Sequence, residues 1–281
     1  MNLPSANLRF LKKFLAPAQA VPYAPKAKGS LRVATFNVHF ARNPLAIAKL
    51  FKQNRNLALA DVVLIQEMEH QSQEKLARTI KVVRGLKLPH FAYVPDRDLI
   101  ATRGTHGVAI LSRFPLENLS VIKLPFFPMP LPRPRVAVSA DINLNGRTVK
   151  IYNVHLNGTL NLRERLKQLD AVVKDIHSQP QGQPIVLGGD FNTIPLLMLA
   201  RAIPVFYSNQ KKKLHDYLKH HGFQTTCETA GYTLESGLVR FQLDGVYTKQ
   251  AQVLQCAVER SEKVSDHFPL WADIKLQAVA N

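Results

Sequence analysis

Residues 135–156 read RVAVSADINLNGRTVKIYNVHL, and this stretch decides the fold class. Its two runs of mainly apolar and β-branched residues, Arg135–Leu144 and Arg147–Leu156, are joined by Asn145-Gly146. Both central residues of a type I′ turn need positive φ, which Asn and Gly adopt readily, so the sequence predicts a β-hairpin here. Antiparallel strands are therefore part of the fold.

Strand and helix patterns alternate on both sides of the hairpin. Apolar, β-branched runs predict further strands at Leu31–Phe40, Asp61–Glu67, Gly107–Arg113, Pro184–Leu187, Phe241–Thr248 and Leu270–Leu276. Apolar residues at helical spacing predict helices at Leu45–Leu59, Glu74–Leu86, Leu162–Ile176 and Lys211–His221. Asn161 and Glu164 form a capping box at the start of the third helix. A hairpin combined with strand–helix alternation indicates an α/β (α+β) fold with mixed sheets.

The composition is that of a globular domain. The chain has 281 residues, 46% of them hydrophobic, so it can bury a large core and is not disordered as a whole. No apolar run reaches the roughly 18 residues of a membrane-spanning helix. Cys227 and Cys256 are too few for a disulfide scaffold and too far apart for a CxxC motif. The simplest division is one domain over residues 31–276, with tails at 1–30 and 277–281.

The chain is strongly basic. It contains 37 lysine and arginine residues against 20 aspartate and glutamate residues, a formal net charge of +17. Without residues 1–30 the predicted domain keeps 32 basic and 20 acidic residues, a charge of +12. Such an excess favours phosphate-rich polymers or anionic surfaces as partners. Lys211-Lys212-Lys213 is either a flank that binds a nucleic-acid backbone or an ordinary solvated helix face.

For two segments, contact with a lipid surface is one of the alternative interpretations. Leu8–Leu15 is a short basic amphipathic stretch that prolines soon end, and it is too short for a signal peptide. It is a lipid contact, a transit-like segment or a tail packed on the domain. The apolar Pro125–Leu131 segment of the Pro-rich loop either touches a membrane or packs beside the hairpin. We expect a cytoplasmic protein, because there is no secretion signal and there are few cysteines.

Polar side chains follow apolar strands at six places. A single carboxylate at a strand end is usually a cap or a turn former, but six such places indicate a functional edge of the sheets. These side chains are Asn37, Glu67, His155, Asp190 with Asn192, Asp244, and Asp266 with His267. The oxygen donors of Asn37, Glu67 and Asp266 suit Mg²⁺, Mn²⁺ or Ca²⁺ rather than zinc. A hard metal beside histidines and amides suits the attack of water on a phosphate ester.

Seven short motifs carry a family resemblance. In chain order they are TFNVH (35–39), IQE (65–67), GVAILSRFP (107–115), NVH (153–155), GDFN (189–192), LD (243–244) and SDHFP (265–269). Between residues 32 and 276 the chain therefore resembles the endonuclease/exonuclease/phosphatase (deoxyribonuclease I-like) superfamily, which includes AP endonucleases, sphingomyelinases and inositol-polyphosphate 5-phosphatases. The resemblance implies a four-layer αββα sandwich of two mixed β-sheets flanked by helices, with the active site at one edge.

The resemblance also implies roles for the site residues. Glu67 would be the main Mg²⁺ ligand, helped by Asn37 and Asp266 directly or through water, and Mn²⁺ or Ca²⁺ could substitute. His267, oriented by Asp244, would act as a general base or polarise the phosphate. The remaining roles are phosphate contact or leaving-group assistance for His155, alignment or activation of the water for Asp190, and phosphate binding for Asn192.

Departures from the family pattern disfavour two of its subfamilies, the AP endonucleases and the 5-phosphatases. No lysine follows Glu67 as in AP endonucleases, and Phe241–Tyr247 lacks the PxWCDR pattern of 5-phosphatases. Arg103 and His106 stand near the place where deoxyribonuclease I has a glutamate paired with its first catalytic histidine, so the partner that orients His155 stays open. Arg103 would grip a phosphate, and His106 is either a second phosphate contact or a polar residue at a strand start. Asn157 is a further candidate for substrate binding, while Arg165 and Gln168 match a recurrent helix pattern and are interpreted as structural.

Three functions remain after these observations. The first is a Mg²⁺-dependent endonuclease acting on DNA or RNA, favoured by the basic domain. The second is a phosphodiesterase or phosphatase acting on a lipid headgroup or another small phosphoester. The third is an inactive binding or scaffold protein of the same family. No obligate protein partner is evident, and we expect a monomer.

Overall fold

The computed structural model describes residues 22–71, 82, 85–100, 103–126, 134–159, 161–193, 196–199, 203–206, 210–237 and 239–277. Two mixed β-sheets pack face to face, and helices cover their outer faces. The predicted αββα sandwich is therefore confirmed.

The first sheet has six strands. They are β1 (Leu31–Asn37), β2 (Val62–Gln71), β3 (His90–Leu99), β4 (Gly104–Ser112), β14 (Ala251–Val258) and β15 (Leu270–Leu276), in the order β14-β15-β1-β2-β4-β3. β1 and β2 run parallel, and every other neighbouring pair is antiparallel.

The second sheet has five strands. They are β5 (Glu117–Leu124), β6 (Arg135–Leu144), β7 (Arg147–His155), β8 (Ile185–Asp190) and β13 (Asp244–Lys249), in the order β13-β8-β7-β6-β5. β7 and β8 are parallel, and the remaining pairs are antiparallel. The predicted hairpin is β6–β7, and Asn145 and Gly146 have φ values of 54° and 82°, as a type I′ turn requires.

Shorter elements connect the sheets. Two small hairpins pair β9 (Leu196–Leu199) with β10 (Ile203–Phe206) and β11 (Leu234–Ser236) with β12 (Val239–Phe241). The described α-helices are α1 (Pro44–Gln53), α2 (Leu162–His177) and α3 (Gln210–His220), and single 3-10 turns lie at His39–Ala41, Leu57–Leu59 and Cys227–Thr229. Asn161 caps α2, because its side chain accepts a hydrogen bond from the Glu164 amide at 3.0 Å.

Three apolar layers hold the sandwich together. The layer between the sheets contains Val33 and Leu64 from the first sheet and Val138 and Ile151 from the second. A second layer packs α1 on the first sheet, and a third packs α2 and α3 on the second sheet. Both faces of each sheet are therefore buried, which leaves the strand ends as the place for polar side chains.

Some predicted elements end earlier than expected. The strand predicted over Leu31–Phe40 stops at Asn37, because residues 39–41 all have positive φ and form a 3-10 turn. The helix predicted over Leu45–Leu59 ends at Gln53, where Asn54 is extended and its side chain accepts from the next backbone amides. The strand predicted over Phe241–Thr248 divides into β12 and β13. Most of the helix predicted at Glu74–Leu86 and of the Pro125–Leu131 segment lies outside the described residues.

Three strands that the sequence did not predict are the edge strands β3, β5 and β14. Each alternates exposed and partly buried positions, and β3 carries the charged run Asp96-Arg97-Asp98. An edge strand needs only one buried face and one hydrogen-bonded side, so polar residues are tolerated there and the apolar signal is weak.

Residues just before β1 pack on the domain. Lys26 pairs with Asp61 at 2.8 Å, and the Ala24 amide donates to Asn56. The amphipathic Leu8–Leu15 stretch lies outside the described residues, so its three interpretations and the domain limit at residue 31 stay predictions. No helix within the described part of the chain is long and apolar enough to cross a membrane.

The two cysteines form a disulfide between Cys227 and Cys256. It ties the 3-10 turn Cys227–Thr229 to the edge strand β14. This pairing was not predicted, since 29 residues separate the two cysteines in the sequence.

Candidate active site

Three adjacent strand ends of the second sheet form the floor of the candidate site. His155 is the last residue of β7, Asp190 the last of β8, and Asp244 the first of β13. The sheet register pairs Asp190 with His155 on one side and with Asp244 on the other. Residues paired in register project to the same face of a sheet. Three side chains distant in sequence therefore meet in one row.

The glycine before Asp190 allows the strands to approach closely. Gly189 has a φ of 143°, and a Cβ atom there would lie 2.0 Å from the carbonyl oxygen of Val154. Beyond the strand, the Asn192 amide donates to Oδ1 of Asp190 at 2.9 Å. The Asn192 side chain donates in turn to the Leu156 carbonyl at 2.8 Å. The GDFN motif is thus a rigid turn that fixes the Asp190 carboxylate.

His267 is paired with Asp244 in this floor. Its Nδ1 donates to Oδ2 of Asp244 at 2.8 Å, and both side chains are buried. Burial disfavours the charged imidazole, but the Asp244 carboxylate outweighs this effect and raises the pKa of His267 to about 10. His267 is therefore an imidazolium at neutral pH.

Asp190 lies at the centre of the polar contacts. Its Oδ2 accepts a hydrogen bond from Nδ2 of Asn37 at 3.0 Å and lies 3.7 Å from Nε2 of His155 and 3.9 Å from Nε2 of His267. Burial, followed by the charge of Asp244, raises the pKa of Asp190 to about 7. A carboxylate with such a pKa can both release and accept a proton near neutral pH.

The first sheet contributes Glu67 through a bulge. The pairing of β2 with β4 shifts between Ile65 and Met68, and Glu67 has a φ of 56°. A bulge re-aims the side chain at the irregular position. Oε1 of Glu67 lies 3.8 Å from Nε2 of His155, so the bulge turns this carboxylate toward the floor of the site.

Asn37 and Asp266 lie beside each other at the end of β1. The Ser265 hydroxyl is 2.9 Å from the Asn37 carbonyl and 3.1 Å from Oδ1 of Asp266. Oδ2 of Asp266 lies 3.1 Å from Nδ1 of His39, a contact that the sequence analysis did not foresee although His39 ends the TFNVH motif.

The oxygen donors of this region fit a hard divalent cation. The carboxylates of Glu67 and Asp266 remain 19% and 35% exposed, while the amide of Asn37 is buried next to Asp190. The Ser265 hydroxyl links Asp266 to Asn37, Asn37 is bonded to Asp190, and His155 lies between Asp190 and Glu67. Two accessible carboxylates and one amide oxygen are a donor set that Mg²⁺ accepts, with water completing its octahedron.

His106 is buried in the same region, and its partners were missed by the sequence analysis. Its Nδ1 lies 2.8 Å from Oδ1 of Asp96, and Oδ2 of Asp96 accepts from Arg135 at 3.0 Å. Asp96 sits where the pairing of β3 with β4 shifts, so a second bulge aims it at His106. The signal for Asp96 was the charged run in β3, but the strand itself was not predicted.

The imidazole of His155 packs against that of His106. The ring centroids are 6.0 Å apart, and His155 has no partner for Nδ1 within the described part of the protein. Burial, followed by the positive charge of Arg135, lowers the pKa of His155 well below its usual value. Burial likewise lowers the pKa of His106, and the bond to Asp96 offsets this in part. Both imidazoles are therefore neutral at pH 7.

The remaining candidate residues lie around the floor. Arg103 lines an open cleft of about 540 Å³ together with His70 and Thr105, and no described contact joins it to Asp190. Asn157 is buried, and its Oδ1 accepts from the amide and the hydroxyl of Thr159. Gln168 accepts from the Asn157 amide at 2.9 Å, and Arg165 donates to Gln210, as expected of structural residues.

A sequence profile of the Endonuclease/Exonuclease/phosphatase family matches residues 34–267. The chain therefore belongs to the endonuclease/exonuclease/phosphatase family. Enzymes of this family depend on a divalent metal ion and generally hydrolyse phosphoester bonds.

The chain is also similar to individual proteins. The chain is 24% identical to the uncharacterized protein YbhP of Escherichia coli K12, over 88% of this chain and 97% of YbhP. It is 28% identical to tyrosyl-DNA phosphodiesterase 2 of Xenopus laevis, over 47% of this chain and 32% of that protein. The crystal structure of an endonuclease/exonuclease/phosphatase from Beutenbergia cavernae matches with a TM-score of 0.71 at 20% identity, covering 89% of this chain and 73% of that one.

Proposed function

We propose that this protein is a Mg²⁺-dependent phosphodiester hydrolase that acts as an endonuclease on DNA or RNA. The observation that carries the proposal is the position of Asp190, with a pKa of about 7, between the imidazoles of His155 and His267. Hydrolysis of a phosphodiester needs a proton acceptor and groups that stabilise charge. The strand ends bring together a proton acceptor, an imidazolium and a neutral imidazole.

Asn37, Glu67 and Asp266 would hold the Mg²⁺ ion, and Mn²⁺ or Ca²⁺ could replace it. When bound, the ion neutralises phosphate charge and stabilises the charge that develops on the leaving oxygen. Asp190 lies within hydrogen-bond reach of Asn37, so it sits next to this donor set. That position suits the alignment or deprotonation of an attacking water.

His267 would polarise the phosphate. The resemblance left open whether it is a general base, but a pKa of about 10 leaves it protonated and unable to accept a proton at neutral pH. Its charge would bind a phosphate oxygen, and the bond to Asp244 would hold the ring in place. The base role then falls to Asp190.

The remaining polar residues would bind the rest of the substrate. His155 would contact the scissile phosphate or assist the leaving group, because it lies within 4 Å of both Glu67 and Asp190. Asn192 and Asn157 would hold phosphate oxygens at the turn after β8. Arg103 would bind a neighbouring phosphate from the cleft that it lines with His70 and Thr105.

A nucleic acid suits the surroundings of the site. A second cleft, of about 380 Å³, runs from Thr193 to Lys211 and Lys212 at the start of α3. Lys213 is exposed on the same helix, although Lys212 is paired with Asp216 at 2.6 Å. This cleft begins at Thr193, three residues after Asp190, and its lysines suit the backbone of a polymer that continues past the reacting phosphate. The likeness to tyrosyl-DNA phosphodiesterase 2 supports a substrate that contains nucleic acid.

The lipid alternative rests on segments outside the described residues, namely Leu8–Leu15 and most of Pro125–Leu131. It and the inactive scaffold therefore stay predictions, as does the monomeric state. The compartment also stays a prediction. We expected the cytoplasm, but the Cys227–Cys256 disulfide favours an oxidising compartment, because disulfides are rare in the cytosol.

The test is plasmid nicking with the purified full-length protein. We expect cleavage that needs Mg²⁺, stops with EDTA, and falls by at least about 100-fold in Glu67→Ala and His267→Ala. The matched controls are Glu117→Ala and His177→Ala, which replace exposed residues outside the site and should cleave normally.

The same buffer should contain sphingomyelin, a phosphoinositide and bis-p-nitrophenyl phosphate in parallel reactions. Hydrolysis of a lipid with intact plasmid would overturn the nuclease proposal and favour a headgroup phosphodiesterase. If none of these substrates is hydrolysed, with Mg²⁺ or with Mn²⁺, both hydrolase functions are excluded and the inactive binding protein is the function that stays.

A further inference from the structure

Glu67, His106 and His155 form a cluster in which the hydrolytic roles of Glu67 and His155 leave His106 unexplained. One donor atom from each of the three lies within 4.8 Å of the donor atoms of the other two. The ring of His106 comes from β4 and the ring of His155 from β7, so the cluster joins the two sheets. It is separate from Asp244 and His267, which meet on the other side of Asp190.

The tautomer of His106 limits what this cluster can bind. Asp96 is paired with Arg135 and acts as an acceptor, so the Nδ1–H of His106 donates to it. The proton is then on Nδ1, and Nε2 carries a bare lone pair. Nε2 is fully buried and has no hydrogen-bond partner among the described residues. A bare lone pair repels a phosphate oxygen, which argues against His106 as a second phosphate contact.

The same arrangement is suited to a transition-metal ion. A metal-bound histidine commonly donates its second ring nitrogen to a carboxylate, which fixes the tautomer and the ring orientation. Asp96 takes that place for His106, and Arg135 fixes Asp96 in turn. Two imidazoles and one carboxylate are a ligand set that Zn²⁺ accepts, with a fourth position left for water or substrate.

We propose that Glu67, His106 and His155 bind a second divalent cation of the Zn²⁺ class, next to the hard-metal position of Asn37, Glu67 and Asp266. Tetrahedral Zn²⁺ holds such ligands roughly 3.3 Å apart, given bond lengths of about 2.0–2.2 Å. The present separation of Glu67 from His155 is 3.8 Å, and every separation within the cluster is at most 4.8 Å, so the side chains must move closer together to close the site. The 19% exposure of Glu67 provides the entry path.

Occupancy of this site would act on the proposed hydrolysis. Zn²⁺ would take Glu67 away from the hard-metal position and would cover the nitrogen of His155 that faces Asp190. Low concentrations of Zn²⁺ would therefore inhibit cleavage even in excess Mg²⁺. The binding itself does not depend on the hydrolytic activity, so the two proposals can fail separately.

The test is a titration of the purified full-length protein with Co²⁺ in the presence of excess Mg²⁺. Co²⁺ reports Zn²⁺-type sites through the strong visible absorption of tetrahedral geometry, whereas octahedral Co²⁺ absorbs weakly. We expect strong bands that saturate at about one equivalent and disappear when Zn²⁺ is added. His106→Gln should abolish the bands, and Asp96→Asn should weaken binding by about 10- to 100-fold.

The competing site is the surface group of His177, His220 and His221 at the ends of α2 and α3. His221→Gln disrupts that group and serves as the matched control, which should keep the bands. Loss of the bands in His221→Gln, or their persistence in His106→Gln, would overturn the proposal. So would weak, octahedral spectra in the wild-type protein.

A variant that does not fold is recognised by circular dichroism. In that case Glu67→Gln, at the partly exposed ligand, takes the place of His106→Gln in the same titration. Unchanged Co²⁺ binding in a folded Glu67→Gln protein would also contradict the site. Plasmid cleavage is measured separately, so an inactive protein that binds Co²⁺ tetrahedrally would disprove the proposed function and leave this inference intact.

Discussion

Nδ1 of His267 donates to Oδ2 of Asp244 at 2.8 Å, across 23 residues of sequence, and both side chains are buried. The imidazolium of His267 places a positive charge beside Asp190, whose Oδ2 lies 3.9 Å from Nε2 of the ring. The two acidic groups thereby differ in function. Asp244 holds the ring of His267 and raises its pKa, while Asp190 has a pKa of about 7.

The first prediction concerns the protonation of the site histidines. In the metal-free protein at pH 8 we expect His267 to be doubly protonated and His155 to be neutral. The pKa of His267 is raised, so its charged form persists until the pH rises through about 10, whereas burial lowers the pKa of His155. Long-range ¹H–¹⁵N NMR correlations of the imidazole rings measure both states.

Asp244→Asn is the matched variant for this measurement. It removes the carboxylate that raises the pKa of His267, so burial should then make the ring neutral at pH 8. A neutral His267 in the wild-type protein, or an imidazolium that survives in Asp244→Asn, would contradict the assignment.

The second prediction concerns the pH dependence of cleavage. We expect the rate at saturating Mg²⁺ to rise as Asp190 loses its proton, at or below pH about 7, because a bound cation also favours the ionised carboxylate. The rate should stay high until His267 loses its proton near pH 10. Initial rates of plasmid nicking across this range give the profile.

Asp244→Asn separates the two limbs of that profile. Its alkaline limb should move to a pH below the wild-type value by several units, and the rate at pH 8 should fall by about 10²- to 10⁴-fold. A wild-type rate that keeps rising from pH 8 to about pH 10, as His267 loses its proton, would show that His267 works as the unprotonated base instead.

The sequence predicted the buried parts of the fold better than its edges. The hairpin β6–β7 and the strand β15 were predicted because their residues are buried at nearly every position and are therefore mainly apolar. The edge strands β3, β5 and β14 were not predicted, since exposed apolar residues such as Phe91, Val121 and Leu254 blur the alternation of apolar and polar positions. The 3-10 turn after Asn37 depends on positive φ values at non-glycine residues, which no sequence pattern indicates.

The candidate site was likewise predicted only in part. Asp190, Asp244 and His267 lie in compact motifs, and the structure brings them together as one contact network. Asp96 could not be inferred, because its contact with His106 requires a bulge in an unpredicted strand. The bulge that aims Glu67 is also invisible in the sequence, although the IQE motif marks the residue itself.

The third prediction concerns the disulfide. Reduction of Cys227–Cys256, or the double variant Cys227→Ser/Cys256→Ser, should lower the free energy of unfolding by about 3–4 kcal/mol. The bond closes a loop over a sequence separation of 29 residues, and the open form gains the entropy of that loop when it unfolds. Urea denaturation with and without a phosphine reductant measures the change.

The double variant is also the control for the reductant. The reductant should shift the denaturation midpoint of the wild-type protein and leave that of the double variant unchanged. A wild-type midpoint that does not move on complete reduction would show that the bond contributes no stability.

The last prediction concerns the glycine before Asp190. Gly189→Ala should destabilise the protein by about 3 kcal/mol or more, because its Cβ would lie 2.0 Å from a backbone oxygen that no side-chain movement can clear. Gly182→Ala is the matched control. Gly182 also has positive φ, at 80°, but nothing lies within 4 Å of its added Cβ, so only the backbone cost of about 1 kcal/mol remains. Urea denaturation compares the two variants. Equal losses of stability would show that the close approach of β7 and β8 adds nothing to the backbone cost, whereas a larger loss in Gly189→Ala would show that the clash with the Val154 carbonyl adds to it.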